Sequence, residues 1–293
     1  MEKNSRTYGF VIEIADATGK VETIEINGVY QLGFMITRNN RPSANIASFD
    51  LYNIDPEIQE TILNARYNHE QWQKITFDAG YGDEMLTIFE GCISEAKIVY
   101  EKQDVITRIT AYSGAYAMVN SFISGKDGEY DLGETLANLI KYLAVHLDNT
   151  PDVPVVGKFD DLLGRKKTSL FGNVWDLLVE LTGGRCFIDN NRFFALKENE
   201  AIQGPHEDEI NDEMEILGKG LKAVDDQIEI SMLLEPRITV GQAVRVEIED
   251  FGPYAEENCI VTEIEHIGTV GATNEWLTKL SLRKDIKAFE IVR

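Results

Sequence analysis

The residues able to do chemistry are sparse and scattered. The four histidines, His69, His146, His206 and His266, stand at no metal-ligand spacing from one another or from a cysteine. His206-Glu-Asp-Glu209 is the only place where a histidine meets several acids, and it reads first as a solvated connector. Gly218-Lys-Gly220 lacks the rest of a phosphate loop, and Asp189-Asn-Asn191 is a hairpin turn before it is a calcium site. Asp160-Asp161 and Asp225-Asp226 are paired acids with no nucleophile or base placed beside them, and no Gly-x-Ser-x-Gly elbow occurs. No enzyme activity, metal or cofactor is expected.

A different chemistry is written in the strands near the C-terminus. In Ala243 to Asp250, Val244, Val246 and Ile248 face one way while Arg245, Glu247 and Glu249 face the other. Glu263 and Glu265 share a face of the next strand. Four acids on strand faces that line a channel would repel a phosphate backbone and let DNA slide, the reverse of the counterion release that drives DNA binding. The alternative is an ordinary solvent face.

The elements that must position these acids are strands. Gln227–Leu234, Ala243–Asp250, Asn258–Ile267 and Glu275–Leu282 alternate polar and apolar residues between Gly, Pro and Asn stops, the pattern of antiparallel strands with one buried face. A similar order runs earlier: strands at 47–54, 74–81, 86–101 and 104–112. The run 86–101 is either two strands or one strand bent at Gly91. Cys92-Ile and Cys259-Ile suggest an alignment of the two long strands, and Ile106-Thr-Arg-Ile-Thr110 matches Leu277-Thr-Lys-Leu-Ser281 in kind. Upstream, 8–14, 21–26 and 29–37 read as strands, and Asp55-Pro56-Glu57 opens a helix.

Between the β regions the pattern turns helical. Asp131-Leu-Gly-Glu134 is a capping box for a helix carrying Leu136, Leu139, Ile140, Leu143 and Leu147 on one face. A second helix spans about 169–182 and is closed by Gly183-Gly184, and a hairpin turns at Asn190-Asn191. Residues 197–226 read as an acid-rich connector that partly covers a sheet edge. The expected domains are 1–117, a first β domain; 118–205, a small inserted α+β domain; and 206–293, connector and second β domain. The fold class is α+β, mainly β.

The chain of 293 residues carries 28 basic and 50 acidic side chains, a net charge of −22 that opposes wrapping of nucleic acid. Its three cysteines, each in an apolar run, read as buried free thiols. No apolar run is long enough to span a membrane. The opening Met1-Glu-Lys-Asn-Ser-Arg-Thr lacks a signal peptide's apolar core, which points to folding in a cytoplasm.

Ile228-Glu-Ile-Ser-Met-Leu-Leu-Glu-Pro-Arg237, Val240-Gly-Gln-Ala-Val-Arg-Val246, Glu265-His-Ile-Gly268 and Trp276-Leu-Thr-Lys-Leu280 resemble the end of phage baseplate hub proteins of the late-control protein D group of contractile tails. Ser48-Phe-Asp-Leu-Tyr-Asn-Ile54, Gly80-Tyr81, Ile88-Phe-Glu-Gly91 and Arg108-Ile-Thr-Ala-Tyr112 are similar to that family's first domain. The resemblance implies two tail-tube-like antiparallel β-barrel domains with a small α+β domain between them. It further implies a homotrimeric ring in the virion that joins the six-fold tail tube protein to the three-fold central spike protein. Tape measure protein and other baseplate proteins would be neighbours, and DNA would pass without specific binding. No lysozyme-like or long C-terminal extension is visible. A carbohydrate-binding or cell-wall-degrading tail component is the alternative; it needs exposed aromatics in a groove, whereas Trp72, Trp175 and Trp276 read as core or helix-face residues.

Overall fold

The computed structural model describes residues 5–15, 20–28, 30–64, 73–124, 129–130, 135–150, 152–161, 168–204, 209–222, 227–248, 256–271, 275–284 and 290–292. The N-terminal part holds β1 (Arg6–Ala15), β2 (Val21–Asn27), β3 (Gln31–Asn39), β4 (Asn45–Tyr52), α1 (Pro56–Asn64), β5 (Lys74–Tyr81), β6 (Glu84–Glu101) and β7 (Asp104–Ser113). The middle holds α2 (Ala115–Asn120), β8 (Phe122–Ile123), β9 (Glu129–Tyr130), α3 (Leu136–Ala144), β10 (Val155–Val156), β11 (Thr168–Ser169), β12 (Gly172–Asn173), α4 (Val174–Thr182), β13 (Cys186–Asp189) and β14 (Arg192–Ala195). The last part holds β15 (Glu200–Ile202), β16 (Glu209–Asn211), β17 (Ile216–Lys222), β18 (Gln227–Leu233), β19 (Ala243–Glu247), β20 (Glu256–Val270), β21 (Trp276–Lys284) and β22 (Glu290–Val292). The fold is α+β and mainly β.

Among the described residues one 13-stranded sheet runs through both ends of the chain in the order β17-β18-β21-β20-β3-β4-β7-β6-β5-β1-β2, with β19 and β16 branching from β20. Among the described residues this path is open, ending at β17 and β2. Inside it the two β regions repeat one topology. β3-β4-β7-β6-β5 and β17-β18-β21-β20-β19 have the same order, each strand standing in the same sequence position within its set.

Bulges fix the equivalence to the residue. The ladder between β6 and β7 skips Ser94, and the ladder between β20 and β21 skips Thr262. Each skipped hydroxyl donates to the partner strand, Ser94 Oγ to the Thr110 carbonyl at 3.1 Å and Thr262 Oγ1 to the Ser281 carbonyl at 2.8 Å. Just before each bulge a backbone N–H reaches a glutamine carbonyl at 2.9 Å, Ile93 to Gln73 and Val261 to Gln242. Ile106–Thr110 therefore superposes on Leu277–Ser281, as the sequence suggests. The Cys92/Cys259 alignment is one residue out, because the bulges set Cys92 against Ile260. A bulge is a fixed structural device and a repeated cysteine is not.

β6 is one continuous strand. It pairs with β5 over residues 84–92 and with β7 over 92–101, and changes partner where Cys92 faces both Lys74 and Tyr112. At Gly91 a Cβ would lie 2.6 Å from the Tyr112 carbonyl and 2.7 Å from the Phe89 ring, so no larger residue fits without movement. β20 behaves likewise, taking β19 over 256–260 and β3 over 263–270 on one edge, and β21 on the other.

Among the described residues three apolar clusters form the core. One lies under the N-terminal strands and takes in Leu234 and Trp276 from the second repeat. A second lies under β18 to β21, and a third joins α2, α3, α4 and the β13–β14 hairpin. α1 starts as expected, with the Glu57 N–H donating to Asp55 Oδ1 at 2.9 Å. α3 begins at Leu136 with Thr135 at its N-cap, and the expected Asp131 capping box lies outside the described residues. α4 starts at Val174, later than the spacing of leucines suggests. Gly172 has φ 118° and extended Asn173 caps the helix through the Asp176 N–H, while Thr168–Ser169 is a short strand. Gly183 closes α4 in the left-handed region, as expected. The three cysteines are buried and free, and burial pushes the Cys92 and Cys186 thiols up to about 11.

The region read as a connector is largely built structure. Ala201 and Ile210 are fully buried, and Glu200 accepts from the Lys158 and Lys197 N–H groups. β17 pairs with β18 along its length. β15 and β16 are too short for a period of two to show, and in β17 Gly218 and Gly220 interrupt the pattern. His206 and the acids after it, through Asp208, fall outside the described residues.

Candidate functional site

The two repeats meet where β3 lies antiparallel to β20, from Glu263 opposite Asn39 to Val270 opposite Leu32. Leu32, Phe34, Ile36 and Arg38 alternate onto the inner face of β3 and are all buried. Phe34 meets Trp276 edge-on with ring centroids 5.2 Å apart. Gly268 sits between them, and a Cβ there would lie 2.4 Å from the Phe34 ring.

Where that apolar row ends, the junction becomes ionic. Arg38 forms a bidentate pair with Asp189, Nε to Oδ1 at 2.8 Å and Nη2 to Oδ2 at 2.5 Å. Both side chains are about 3 % exposed or less. Asn45 Nδ2 donates to the same carboxylate at 3.0 Å and to the Ile188 carbonyl at 3.2 Å. Asp189 ends β13, next to a turn whose Asn190 and Asn191 have φ 44° and 59°, as a two-residue hairpin turn of this kind requires. The middle α+β element is thus locked to the strand that joins the repeats. His266, fully buried on β20, shares a hydrogen bond between its Nδ1 and Thr278 Oγ1 at 2.9 Å, and the same hydroxyl accepts from the Glu235 N–H. Burial, and then the nearby Arg38, push its pKa down to about 3.

The opposite face of the junction is polar. Glu263 and Glu265 of β20 lie with Glu229, Lys279, Arg283 and Arg41 around a groove of about 500 Å³. Lys279 Nζ holds Glu265 at 2.6 Å. The equivalent lysine position in the first repeat is Arg108, which holds Asp50 at 2.7 Å. Glu247 is apart from this groove. It is paired with Arg245 at 2.5 Å and sits opposite Glu256, seven residues along β20 from Glu263, about 23 Å of strand. Glu249 lies outside the described residues. Of the three described acids, Glu263 and Glu265 share a surface, and Glu265 and Glu247 are ion-paired. The sequence missed the Arg38–Asp189–Asn45 cluster; its signal is an arginine at an inner-face position of an otherwise apolar alternation.

A second cleft, about 840 Å³, opens between β5–β6 and residues 145–154. Its Glu90 carboxyl is raised by burial and by Asp152. Among the described residues no cluster of His, Cys, Asp and Glu could hold a metal. Trp175 and Trp276 are buried and so unavailable to stack on a sugar, and Trp72 lies outside the described residues. Among the described residues no helix is long and apolar enough to cross a membrane.

Solved structures of this fold include tail proteins. The 43 kDa tail protein of prophage MuSo2 from Shewanella oneidensis superposes with a TM-score of 0.57 at 11 % identity, covering 93 % of this chain and 95 % of that one. The tail protein from Neisseria meningitidis MC58 gives 0.59 at 10 % identity over 95 % and 97 %. The E. coli c3393 protein, a type VI secretion component described as structurally similar to the T4 tail proteins gp27 and gp5, gives 0.56 at 10 % over 90 % and 76 %. At such identities the likeness is one of fold, and the fold is of the tail-protein class. Within that class, the family described as Baseplate hub gp41 matches residues 18–267, and this chain belongs to it. It is a structural component of a phage tail baseplate, and so of the virion. No curated protein matches the sequence.

Proposed function

We propose that three copies of this chain form the hub ring that joins the six-fold tail tube to the three-fold central spike, with a channel through which DNA passes. One observation carries this reading: a single chain holds two β repeats with the same strand order and the same bulge, already joined edge to edge. Three such chains present six equivalent units, and a ring of three can then meet a six-fold partner on one side and a three-fold partner on the other. Each repeat forms a tube-like barrel unit, in domains 1–117 and 206–293, with 118–205 inserted between them and clamped by Arg38 and Asp189. Glu263, Glu265 and, further along, Glu247 and Glu249 face the lumen, where their charge keeps phosphate from adhering. The spike and tube proteins are the direct partners, tape measure and other baseplate proteins are neighbours, and the chain is made in the bacterial host cytoplasm.

Light scattering on the purified chain tests the trimer. A mass three times the 33.0 kDa of one chain is expected, and a single chain mass at every concentration overturns the reading.

A further inference from the structure

Two strand edges are unpaired among the described residues although their counterparts in the other repeat are paired. β3 carries β4 on one edge and β20 on the other; its counterpart β17 carries β18 on one edge only. On β20, the edge that holds β19 goes on to hold β3 over residues 263–270. On β6, the edge that holds β5 over 84–92 takes no strand over 95–101. The strand β17 ends the order on one side and the open stretch of β6 lies in the other repeat, so one chain can give a strand to a neighbour and receive one from another.

The equivalences set the register. Ser94 corresponds to Thr262, so residues 97–101 of β6 correspond to 265–269 of β20. Thr110 corresponds to Ser281, and these lie opposite Ser48 and Glu229, whose other partners are Met35 and Gly220. Residues 218–222 of β17 therefore correspond to 33–37 of β3. We propose that β6 of one copy pairs antiparallel with β17 of a second copy, repeating between chains the junction that β20 and β3 make within one. The register is Lys97 opposite Lys222, Ile98 opposite Leu221, Val99 opposite Gly220, Tyr100 opposite Lys219 and Glu101 opposite Gly218. The contact is heterologous, and it specifies the interface of the ring proposed above, on which it rests.

Exposure agrees with this assignment. Tyr100 is 77 % exposed and Leu217 is 59 % exposed, among the largest values for apolar residues. They lie on these two edges, Tyr100 within the proposed ladder and Leu217 just before it, at the bulge where β17 skips a partner on β18. Open edges of this length are otherwise a hazard for uncontrolled association. The one like-charge pair, Lys97 and Lys222, falls beside Glu95, which already holds Lys97 at 3.2 Å.

Cysteine pairs read the register directly, because the native thiols are all buried. Adjacent antiparallel pairs alternate between wide and close spacing, so one of Tyr100→Cys/Lys219→Cys and Val99→Cys/Gly220→Cys sits at the close spacing a disulfide needs. Under diamide that variant should give a covalent species of three chain masses, and the slipped control Val99→Cys/Lys219→Cys should not. The same samples are weighed by light scattering before oxidation. A trimer with no cross-link in either pair, or with equal cross-linking in the slipped control, overturns the register and leaves the ring standing. A single chain mass throughout overturns both.

Discussion

Arg38 and Asp189, far apart in sequence, meet as a buried two-fold hydrogen-bonded ion pair at 2.8 and 2.5 Å. The arginine lies on the strand that joins the repeats and the aspartate on the hairpin of the middle element. Their contact ties the middle element to the strand along which the two repeats meet. Removing one partner leaves a buried charge, which costs about 3–5 kcal/mol. Asp189→Ala should lower the unfolding temperature markedly, and Arg38→Met/Asp189→Leu should recover most of that loss. Equal losses in the single and double variants would show that the pair's charge is not what matters.

His266 gives the junction a pH dependence of definite sign. Folded, it stays neutral down to about pH 3, whereas unfolded it takes a proton near its ordinary value of 6.5. Between those values the unfolded state binds more protons, so stability falls as pH falls, by about 1.4 kcal/mol per pH unit at most from this group. Above 6.5 it contributes no slope. The difference in unfolding free energy between the native chain and His266→Gln, followed from pH 7 to pH 4, should narrow in the variant's favour as the pH drops.

Gly91 marks where β6 changes partner, and the space beside it is closed by backbone and by a buried ring. Gly91→Ala should cost about 1–3 kcal/mol by overpacking. Gly33→Ala is the control, since its nearest neighbour would be 3.7 Å from the new Cβ. A circular-dichroism melt of the two variants separates them, and equal melts would mean that the crossing is loosely packed.

The acids on the polar face make a positional prediction. In a reconstruction of the assembled ring, the Glu263 and Glu265 carboxylates should line the pore, with Lys279 reaching across to Glu265 as it does in the single chain. Finding them on the outer wall would remove the electrostatic account of DNA passage while leaving the ring untouched. Glu247, held by Arg245, should lie at a different height.

Much of this was legible in the sequence because it was local. The alternation of Gln227–Leu234, the Asp55-Pro56 helix start and the Asn190-Asn191 turn each act within a few residues. The match of Ile106–Thr110 to Leu277–Ser281 was legible because each segment carries its own pattern, and it survives to the residue once the bulges are known. The pairing of β3 with β20 was not legible, since it joins strands more than two hundred residues apart. Nor was Asp189 as Arg38's partner, because a hairpin aspartate has a sufficient local role. Glu247 and Glu265 carry the same charge in the sequence and different partners in the fold, which only the register distinguishes.

Imaging the purified chain as single particles tests the central claim most directly. The account predicts a three-fold ring with six β units around an open pore, alternate units bearing the middle element. Isolated single chains, or a closed assembly with no pore, would contradict it.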